Sequence, residues 1–353
     1  MQLPAIRRRA QSLILLSYST NRGHLGKNEI DGYIRRLRAP RKSFLSCVEI
    51  KPLDEWKKIC YNDEKFVDRR TQKMPKSLEK YQEVERSIIT TYRKTIWSPF
   101  TLAVKKYRLI ESGDKIAVCI SGGKDSMLLA KLMQELHRHS EIPFELIFLV
   151  MDPGYNAENR AKIEENARLL NVPLTIFESD VFASAESANA ESPCYLCARM
   201  RRGHLYAKAK ELGCNKIALG HHKSDVIETT LMGMLYGGQL QGMLPRIKST
   251  NFEGMELIRP MYCILENDIL RWREYNHLEF IACACKFTQN LTGGDEDTFS
   301  ARRKVKQLIA ELKKENTNVE NNIFQSIHNV QLDTLAEYKQ DGIKHSFLDK
   351  FEK

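Results

Sequence analysis

The sequence predicts an α/β protein built on a doubly wound parallel sheet. Short apolar runs alternate with amphipathic stretches of helical length between residues 115 and 235. Lys115 to Ile120 and Phe144 to Met151 are typical of buried strands, because they are apolar or β-branched and turn residues bound them. Strands that alternate with helices in this way form a parallel sheet with right-handed crossovers. Such sheets bind ligands at the carboxyl ends of their strands, so the loops after the strands are where a site is expected.

The other elements follow from the same patterns. A helical pattern runs from about Ser77 to Tyr107, before the first strand. Two further strands are predicted at Leu174 to Phe177 and Lys216 to Leu219, and a short late strand at Phe280 to Ala282. Helices are predicted over residues 127–136, 158–170, 200–212, 225–235, 266–277 and from 298 onward. The central sheet therefore carries an N-terminal helical extension and C-terminal helices.

Composition indicates a soluble protein with no membrane partner. Of the 353 residues, 42% are hydrophobic and 28% are charged, which is ordinary for a globular chain. The apolar run from Leu13 to Leu16 is far too short to span a bilayer, so a cytoplasmic location is expected. The net charge of +10 suggests nucleic acid, but residues 1–73 supply +9 of it. Any RNA-binding surface on the main body must therefore be a local patch.

Four regions are predicted along the chain. Residues 1–73 form a basic extension, 74–112 a helical lead-in, 113–330 the main α/β domain and 331–353 a polar tail. The extension is interpreted as a small basic appendage, a targeting peptide or a stretch upstream of a misplaced start, with Met74 as the alternative start. A transit peptide should be rich in Arg and poor in acid, which fits only the first 28 residues. The appendage and false-start interpretations are therefore favoured.

A glycine loop follows the first strand, with the sequence Ser121-Gly122-Gly123-Lys124-Asp125-Ser126. The glycines allow a tight turn that brings backbone N–H groups close to an anion, and Lys124 adds positive charge for phosphates. Ser126 is expected to start the following helix, whose N-terminal N–H groups favour the same anion. The loop is not a Walker A motif, because Asp125 stands where that motif needs Ser or Thr. The alternative is an ordinary strand–turn–helix with exposed polar residues.

This loop resembles that of the PP-loop pyrophosphatase superfamily, which has an adenine nucleotide alpha-hydrolase-like, Rossmann-like fold and cleaves ATP at the α-phosphate. A second element of that family, Gly220 to Thr229, follows the fourth strand. The resemblance implies that Lys124 and Asp225 are catalytic, and that Asp125 and Asp225 hold Mg²⁺. It implies an ATP site made of Ser121, Gly122, Gly123, Lys124, Asp125, Ser126, Asp152, Gly220 and His221. The family commonly has two adjacent acids where this chain has Ser224-Asp225, which leaves the role of Asp225 open.

The nine cysteines include two close pairs, Cys194/Cys197 and Cys283/Cys285. An odd number of cysteines without a secretory signal argues against a disulfide framework. Cys194 and Cys197 lie three residues apart at a helix start, where they could ligate one metal centre. Zinc, a redox disulfide, an iron–sulfur cluster or no ligand at all remain open on this spacing alone. Cys119 lies on a strand and is expected in the core, and the other cysteines are taken as structural.

In combination these motifs resemble the TtcA-like tRNA 2-thiocytidine biosynthesis family, from about Ser77 to the tail. That resemblance implies a 4Fe–4S cluster on Cys194, Cys197 and Cys283, with one iron free to carry sulfur and Cys285 as the rival third ligand. It implies ATP-dependent adenylation of an anticodon-loop cytidine of tRNA, followed by sulfur insertion. A sulfur donor such as a cysteine desulfurase is an implied partner, as is a second copy of the chain in a homodimer. The arginines expected to contact RNA are Arg199, Arg201 and Arg202.

Three alternatives remain open at this stage. A related PP-loop enzyme could thiolate a tRNA uridine instead of a cytidine. A non-thiolating PP-loop tRNA ligase would not need the cluster cysteines, so its iron content would differ. A non-catalytic tRNA-binding or iron–sulfur protein would keep the nucleotide fold without releasing pyrophosphate.

Overall fold

The computed structural model describes residues 78–179, 193–281 and 296–351. For residues 193–198 and 296–300 it describes the backbone only. The predicted basic extension, the late cysteines Cys283 and Cys285 and the end of the predicted strand at Ala282 lie outside these ranges. No helix in the described ranges is both long enough and apolar enough to cross a bilayer.

The core of the fold is a six-stranded sheet with the strand order β3-β2-β1-β4-β6-β5. All neighbouring strands are parallel except the last pair, in which β5 runs antiparallel to β6. The strands are β1 (Lys115–Ile120), β2 (Glu145–Asp152), β3 (Leu174–Glu178), β4 (Lys216–Ala218), β5 (Arg246–Lys248) and β6 (Glu256–Ile258). The chain moves outward from β1 to β3 and then returns to place β4 on the other side of β1. The strand order therefore reverses between β1 and β4, and the crevice outside the carboxyl ends of these strands is the usual ligand position in such sheets.

Helices cover both faces of the sheet, as the alternation of elements predicts. They are α1 (Lys80–Ile89), α2 (Ser98–Lys106), α3 (Lys124–His139), α4 (Ala157–Leu169), α5 (Pro193–Glu211), α6 (Lys223–Gly237), α7 (Glu266–Tyr275), α8 (Glu296–Glu315) and α9 (Val319–Ser326). A short π-helix, Arg93–Trp97, separates α1 from α2. The predicted doubly wound parallel sheet is confirmed.

Strand β1 shows how the sequence buries both faces. Ile116 and Val118 point into the larger core cluster, to which α1, α3, α4 and α7 contribute. Ala117 and Cys119 point into a second cluster on the opposite face, where α5 contributes Tyr206. Successive side chains alternate between the two faces of a strand, and a parallel sheet covered on both sides therefore needs a continuous apolar run.

Three parts of the fold differ from the sequence-based expectation. The two three-residue strands β5 and β6 were not predicted, although they complete the edge of the sheet. The expected strand from Phe280 is not formed at Phe280 and Ile281, which lie in no regular element. Both residues instead pack against the larger core cluster, where the Phe280 ring stacks on Trp272 with centroids 6.3 Å apart. The apolar character that suggested a strand is explained by this packing.

The polar tail also has more structure than expected. Glu337–Gln340 and Ile343–Ser346 pair as an antiparallel hairpin, strands β7 and β8. The turn residues Asp341 and Gly342 both have positive φ angles, of 52° and 82°. Asp-Gly with two positive φ angles is a favoured two-residue hairpin turn, because its twist matches that of the strands.

Candidate active site

The glycine loop lies between the end of β1 and the start of α3. The Ser126 hydroxyl accepts a hydrogen bond from the Ser121 amide at 3.1 Å and donates one to the Gly123 carbonyl at 3.0 Å. Helix α3 begins at Lys124 and its N-cap is Gly123, so the expectation that Ser126 starts the helix is wrong by two residues. The Ser126 side chain instead closes the loop on itself, in the first turn of the helix.

Two glycines allow backbone to pack closely around this loop. Gly122 has a φ of 82°, and a Cβ there would lie 2.5 Å from the Ile163 side chain and 2.6 Å from that of Ile281. Gly220, in the loop after β4, would place a Cβ 3.2 Å from the backbone of Asp125 and Ser126. The absence of a side chain at Gly220 brings the loop after β4 against the start of α3, and its absence at Gly122 makes room for Ile163 and Ile281. The two predicted nucleotide-binding segments are therefore neighbours.

His222 joins the two segments. It is the N-cap of α6: its Nδ1 accepts a hydrogen bond from the Asp225 amide at 3.3 Å, and its own amide donates to Asp225 Oδ2 at 3.0 Å. Its Nε2 lies 3.8 Å from Asp125 Oδ1, which is too long for a hydrogen bond. Asp125 Oδ1 is buried and has no hydrogen-bond partner among the described residues. Asp125 and Asp225 thus lie on either side of one imidazole, with a carboxylate oxygen left to accept a cation.

Lys124 does not point freely into solvent. Its Nζ lies 3.1 Å from Asp125 Oδ2 and 3.1 Å from Glu266 Oε1, at the start of α7. Glu266 Oε2 in turn accepts from Lys306 Nζ of α8 at 3.0 Å. Burial opposes the charged form of the lysine, but the two carboxylates outweigh it and raise the pKa of Lys124. The loop lysine is held charged and in place by the neighbouring helices.

The charged network continues to Glu228 on α6, which is 3% exposed. Its carboxylate lies 3.1 Å from Arg302 Nε and 3.5 Å from Lys306 Nζ. Burial raises the pKa of Glu228 in spite of these two cations. Glu228 and Glu266 were not predicted as site residues. Glu228 lies one helical turn after Asp225 on the same helix face, which is a sequence signal that could have found it.

Replacing Glu266 with Gln is expected to lower the melting temperature most at neutral pH. Burial alone would raise the pKa of Glu266, but Lys306 and Lys124 lower it from 4.5 to about 2. A carboxyl whose pKa is lower in the folded state adds stability above its unfolded pKa, and that stability is lost as the pH falls towards the folded value. The difference in melting temperature between wild type and Glu266→Gln should therefore shrink between pH 7 and pH 3.

The matched control is Glu274→Gln on the same helix. The Glu274 side chain is 66% exposed and pairs only with Arg273, at 3.4 Å, in the described part of the chain. This variant should melt close to wild type throughout the pH series. A Glu266→Gln deficit that stays constant with pH would contradict the assignment of stability to the ionised carboxylate.

Asp152 ends β2 at the same edge of the sheet, as predicted. Its Oδ1 accepts hydrogen bonds from the amides of Gly154 and Tyr155, at 2.9 and 2.8 Å, and its Oδ2 pairs with Arg160. Burial opposes ionisation, but these amides and Arg160 lower the pKa of Asp152. The ionised side chain therefore orders the turn after β2, so any part that it takes in nucleotide binding is through the shape of this turn.

The cysteine pair lies at the beginning of α5. Cys194 and Cys197 are in the first turns of this 19-residue helix, three positions apart and so on one face. The far end of α5 joins β4 through four residues, so it lies at the amino edge of the sheet. A helix of this length spans about 28 Å, and its start therefore lies at the carboxyl edge, with the glycine loop. Thiols at a helix N-terminus ionise readily, which suits them as ligands of iron.

The other described cysteines have no such placement. Cys119 and Cys214 are buried in the second core cluster, and burial raises the pKa of Cys119 to about 12. The expectation that Cys119 is a core residue is confirmed. Cys263 is half-buried, and none of the three is in a disulfide. Among the described side chains, no three His, Cys, Asp or Glu residues come together as a metal site.

The predicted RNA-contacting arginines lie further along α5. Arg199 and Arg202 are exposed and Arg201 is half-buried. Arg202 acts electrostatically on His221 and Arg259, which follow β4 and β6. One of the three arginines is therefore close enough to act on residues that follow β4 and β6.

Comparison with known proteins agrees with this geometry. A family model described as PP-loop domain matches residues 95–290. A tRNA-cytidine(32) 2-sulfurtransferase of Alkalilimnicola ehrlichii is 35% identical over 237 residues, which are 67% of this chain and 73% of that protein. A protein of the same name from Aliivibrio fischeri is 36% identical over 247 residues, covering 69% of this chain and 76% of its own.

A solved structure has the same fold. It is the U34-tRNA thiolase NcsA from Methanococcus maripaludis with its 4Fe–4S cluster, which aligns with a TM-score of 0.51 at 20% identity. The alignment covers 74% of this chain and 81% of that one. At this identity the likeness supports the fold and nothing finer.

The fold, the glycine loop and the crevice between β1 and β4 define a nucleotide-binding α/β domain of the PP-loop type, and use of ATP follows from it. The two sulfurtransferases are 35–36% identical to this chain over more than 230 residues, which identifies a narrower group within this class. The chain belongs to the PP-loop family, in the group of the tRNA-cytidine 2-sulfurtransferases. The resemblance drawn from the sequence motifs is confirmed.

Proposed function

We propose that this chain is an ATP-dependent tRNA sulfurtransferase that converts a cytidine of the anticodon loop, position 32 as in its relatives' names, into 2-thiocytidine. The observation that carries the proposal is the position of the cysteine pair on α5. It shares the carboxyl edge of the sheet with the glycine loop, where an activated base has to meet sulfur. The reaction is placed in the cytoplasm, where tRNA is modified.

The first step is adenylation of the base. The C2 carbonyl oxygen of cytidine attacks the α-phosphorus of ATP, the Pα–O bond to the β-phosphate breaks, and pyrophosphate leaves with its electron pair. The amides at the start of α3 and the Lys124 ammonium would neutralise the charge that develops on the departing phosphates. Asp125 and Asp225 would carry Mg²⁺, which commonly binds through one or two carboxylates together with substrate phosphates.

The second step exchanges oxygen for sulfur. A sulfur nucleophile forms a bond to C2, the C2–O bond breaks, and AMP leaves with the oxygen. Cys194, Cys197 and one of Cys283 and Cys285 would hold a 4Fe–4S cluster, whose fourth iron would supply a place for the sulfur. A cysteine desulfurase or a similar donor would provide that sulfur as a persulfide, and a thiol reductant, itself oxidised to a disulfide, would bring it to the sulfide level that attacks C2. A second copy of the chain, in a homodimer, is also part of the proposal.

The base must leave its stack to reach this edge of the sheet. An anticodon-loop nucleotide is already single-stranded, which lowers the cost of turning it into the crevice. Arg199, Arg201 and Arg202 lie on the helix that begins with the cysteine pair, so RNA phosphates bound there would place the loop above the crevice. Contact with RNA would thus be local, as the small net charge of the main body requires.

The test is nucleoside mass spectrometry of bulk tRNA from cells that lack the gene. Selective loss of 2-thiocytidine, restored by the intact gene but not by Lys124→Met, supports the proposal. Loss of a thiouridine with 2-thiocytidine unchanged would contradict the choice of base and favour the uridine alternative. No change in any thionucleoside would contradict thiolation and leave the non-thiolating ligase.

A further inference from the structure

Arg259 is a buried arginine that forms no ion pair with any described residue. It follows directly after β6 and is 6% exposed. Its Nη1 donates to the Leu244 carbonyl, but its Nε is buried without a hydrogen-bond partner in the described part of the chain. No described carboxylate lies within ion-pair distance of it.

Arg246 provides a comparison, because it is an arginine with a structural role in the same fold. Its guanidinium lies 3.1 Å from Glu111 and 2.7 Å from Glu256, and the hydrogen bonds to these two carboxylates raise its pKa. Arg259 has no such arrangement, and burial together with the charge of Arg202 lowers the pKa of Arg259 to about 10. It remains charged at neutral pH. A buried charge that lacks a partner destabilises the free protein, so its presence needs a ligand that supplies the opposite charge.

The position of Arg259 is at the crevice. Strands β4 and β6 are parallel neighbours, with Ala218 opposite Ile258, and the Leu219 amide donates to the Ile258 carbonyl at 3.0 Å. Arg259 and His221 therefore leave adjacent strands at the same edge of the sheet. Gly220, just before His221, packs on the backbone of Asp125 in the glycine loop. Arg259 thus follows the strand next to the loop of Gly220 and His221, on the side of β4 away from β1.

His221 and Arg202 complete the group. The His221 Nδ1 is buried and has no hydrogen-bond partner among the described residues. Burial and the charge of Arg259 lower the pKa of His221 to about 4, so the ring is neutral and adds no further positive charge. Arg202 approaches from α5 and is exposed. The three side chains offer two cations and a polar ring, and no acidic side chain of the described ranges forms an ion pair with them.

We propose that Arg259, Arg202 and His221 form a phosphate-binding site, and that its ligand is the α-phosphate of the bound nucleotide. This inference rests on the proposed function. The other source of the same chemistry is a phosphate of the RNA backbone. Arg259 is buried and Asp225 acts on it electrostatically, whereas RNA would first meet the exposed Arg202. The buried cation therefore matches the group at which adenylation occurs, and it would bind that phosphate as pyrophosphate leaves.

Three probes test the assignment in the full-length protein: AMP, inorganic pyrophosphate and an unmodified anticodon stem-loop RNA, each by equilibrium binding. Arg259→Gln is expected to weaken AMP binding about 10- to 100-fold, the range for loss of a hydrogen bond to a charged group. Pyrophosphate, which lacks the α-phosphate, and RNA should bind as to wild type. Arg259→Lys, which keeps the charge, should recover part of the AMP affinity.

Arg246→Gln is the matched control, with the opposite pattern. It should lower the melting temperature and leave AMP affinity unchanged, whereas Arg259→Gln should melt at or above the wild-type temperature because it removes an unpaired charge. Weakened RNA binding with normal AMP binding would overturn the assignment to the nucleotide. Normal binding of all three probes would overturn the site altogether. These measurements need no thiolation, so they stand apart from the nucleoside analysis that tests the proposed function.

Discussion

Replacing Lys124 with Met is expected to lower tRNA-dependent pyrophosphate release by about 10²- to 10³-fold, the usual effect of removing one preorganised group that stabilises a transition state. Met keeps the aliphatic stem and removes only the ammonium. That ammonium lies within 3.1 Å of Asp125 and Glu266, so it is fixed at the start of α3 before any ligand arrives. A charge already in place costs no reorganisation when the phosphates become more negative, and its loss should therefore appear mainly in kcat.

The control is Lys115→Met, at the start of β1, the strand that leads into the glycine loop. Lys115 pairs at 3.4 Å with Glu145, whose side chain is 73% exposed, so this ion pair contributes little. The variant should release pyrophosphate at the wild-type rate. Melting curves of both proteins exclude unfolding as the cause of a lost activity. Wild-type release by Lys124→Met would remove this lysine from the mechanism, and a pure rise in KM would assign it to ground-state binding of ATP.

Much of this site could be predicted because its parts are local. The glycine loop directly follows an apolar strand, and the loop with Gly220 follows another, so their meeting at one edge follows from the parallel order alone. His222 is a similar case. It lies three residues before the predicted start of a helix, and it is the N-cap of α6. Sequence signals of this kind need only the residues on either side of a strand end or a helix start.

The parts that were missed depend on contacts between distant segments. Strand β5 has the sequence Arg246-Ile247-Lys248, which is too short and too polar to show the alternating pattern of a strand. It is a strand only because it pairs with β6. Glu266 becomes a site residue because its amide donates to Ser224 Oγ at 3.1 Å, which seats the start of α7 beside Lys124. Ser224 stands where the family commonly has an acid, and here its hydroxyl serves this contact. The tail hairpin is different, because the Asp341-Gly342 dipeptide is typical of a hairpin turn and could have predicted it from the sequence alone.

Replacing Cys194 with Ser is expected to remove essentially all bound iron and, with it, 2-thiocytidine formation, while ATP binding persists. The prediction follows from the separation of the two functions on the fold. Cys194 begins α5, which packs on the face of the sheet with the second core cluster, whereas the glycine loop leads into α3 on the other face. A serine hydroxyl is a poor substitute for a thiolate as a ligand of iron. Iron content, the visible absorbance of the purified protein and nucleoside analysis would measure the loss.

Cys263→Ser is the control for loss of a thiol as such, since Cys263 is half-buried and lies outside the proposed ligand set. It should keep both iron and activity. Cys283→Ser and Cys285→Ser then separate the two rivals for the third ligand, because only the true ligand should lose iron when changed. A Cys194→Ser protein that retains iron and thiolates tRNA would refute the ligand assignment and leave the ATP site intact. Loss of thiolation with iron retained would instead make Cys194 a carrier of sulfur, because a thiolate that does not bind the cluster is free to act as a nucleophile.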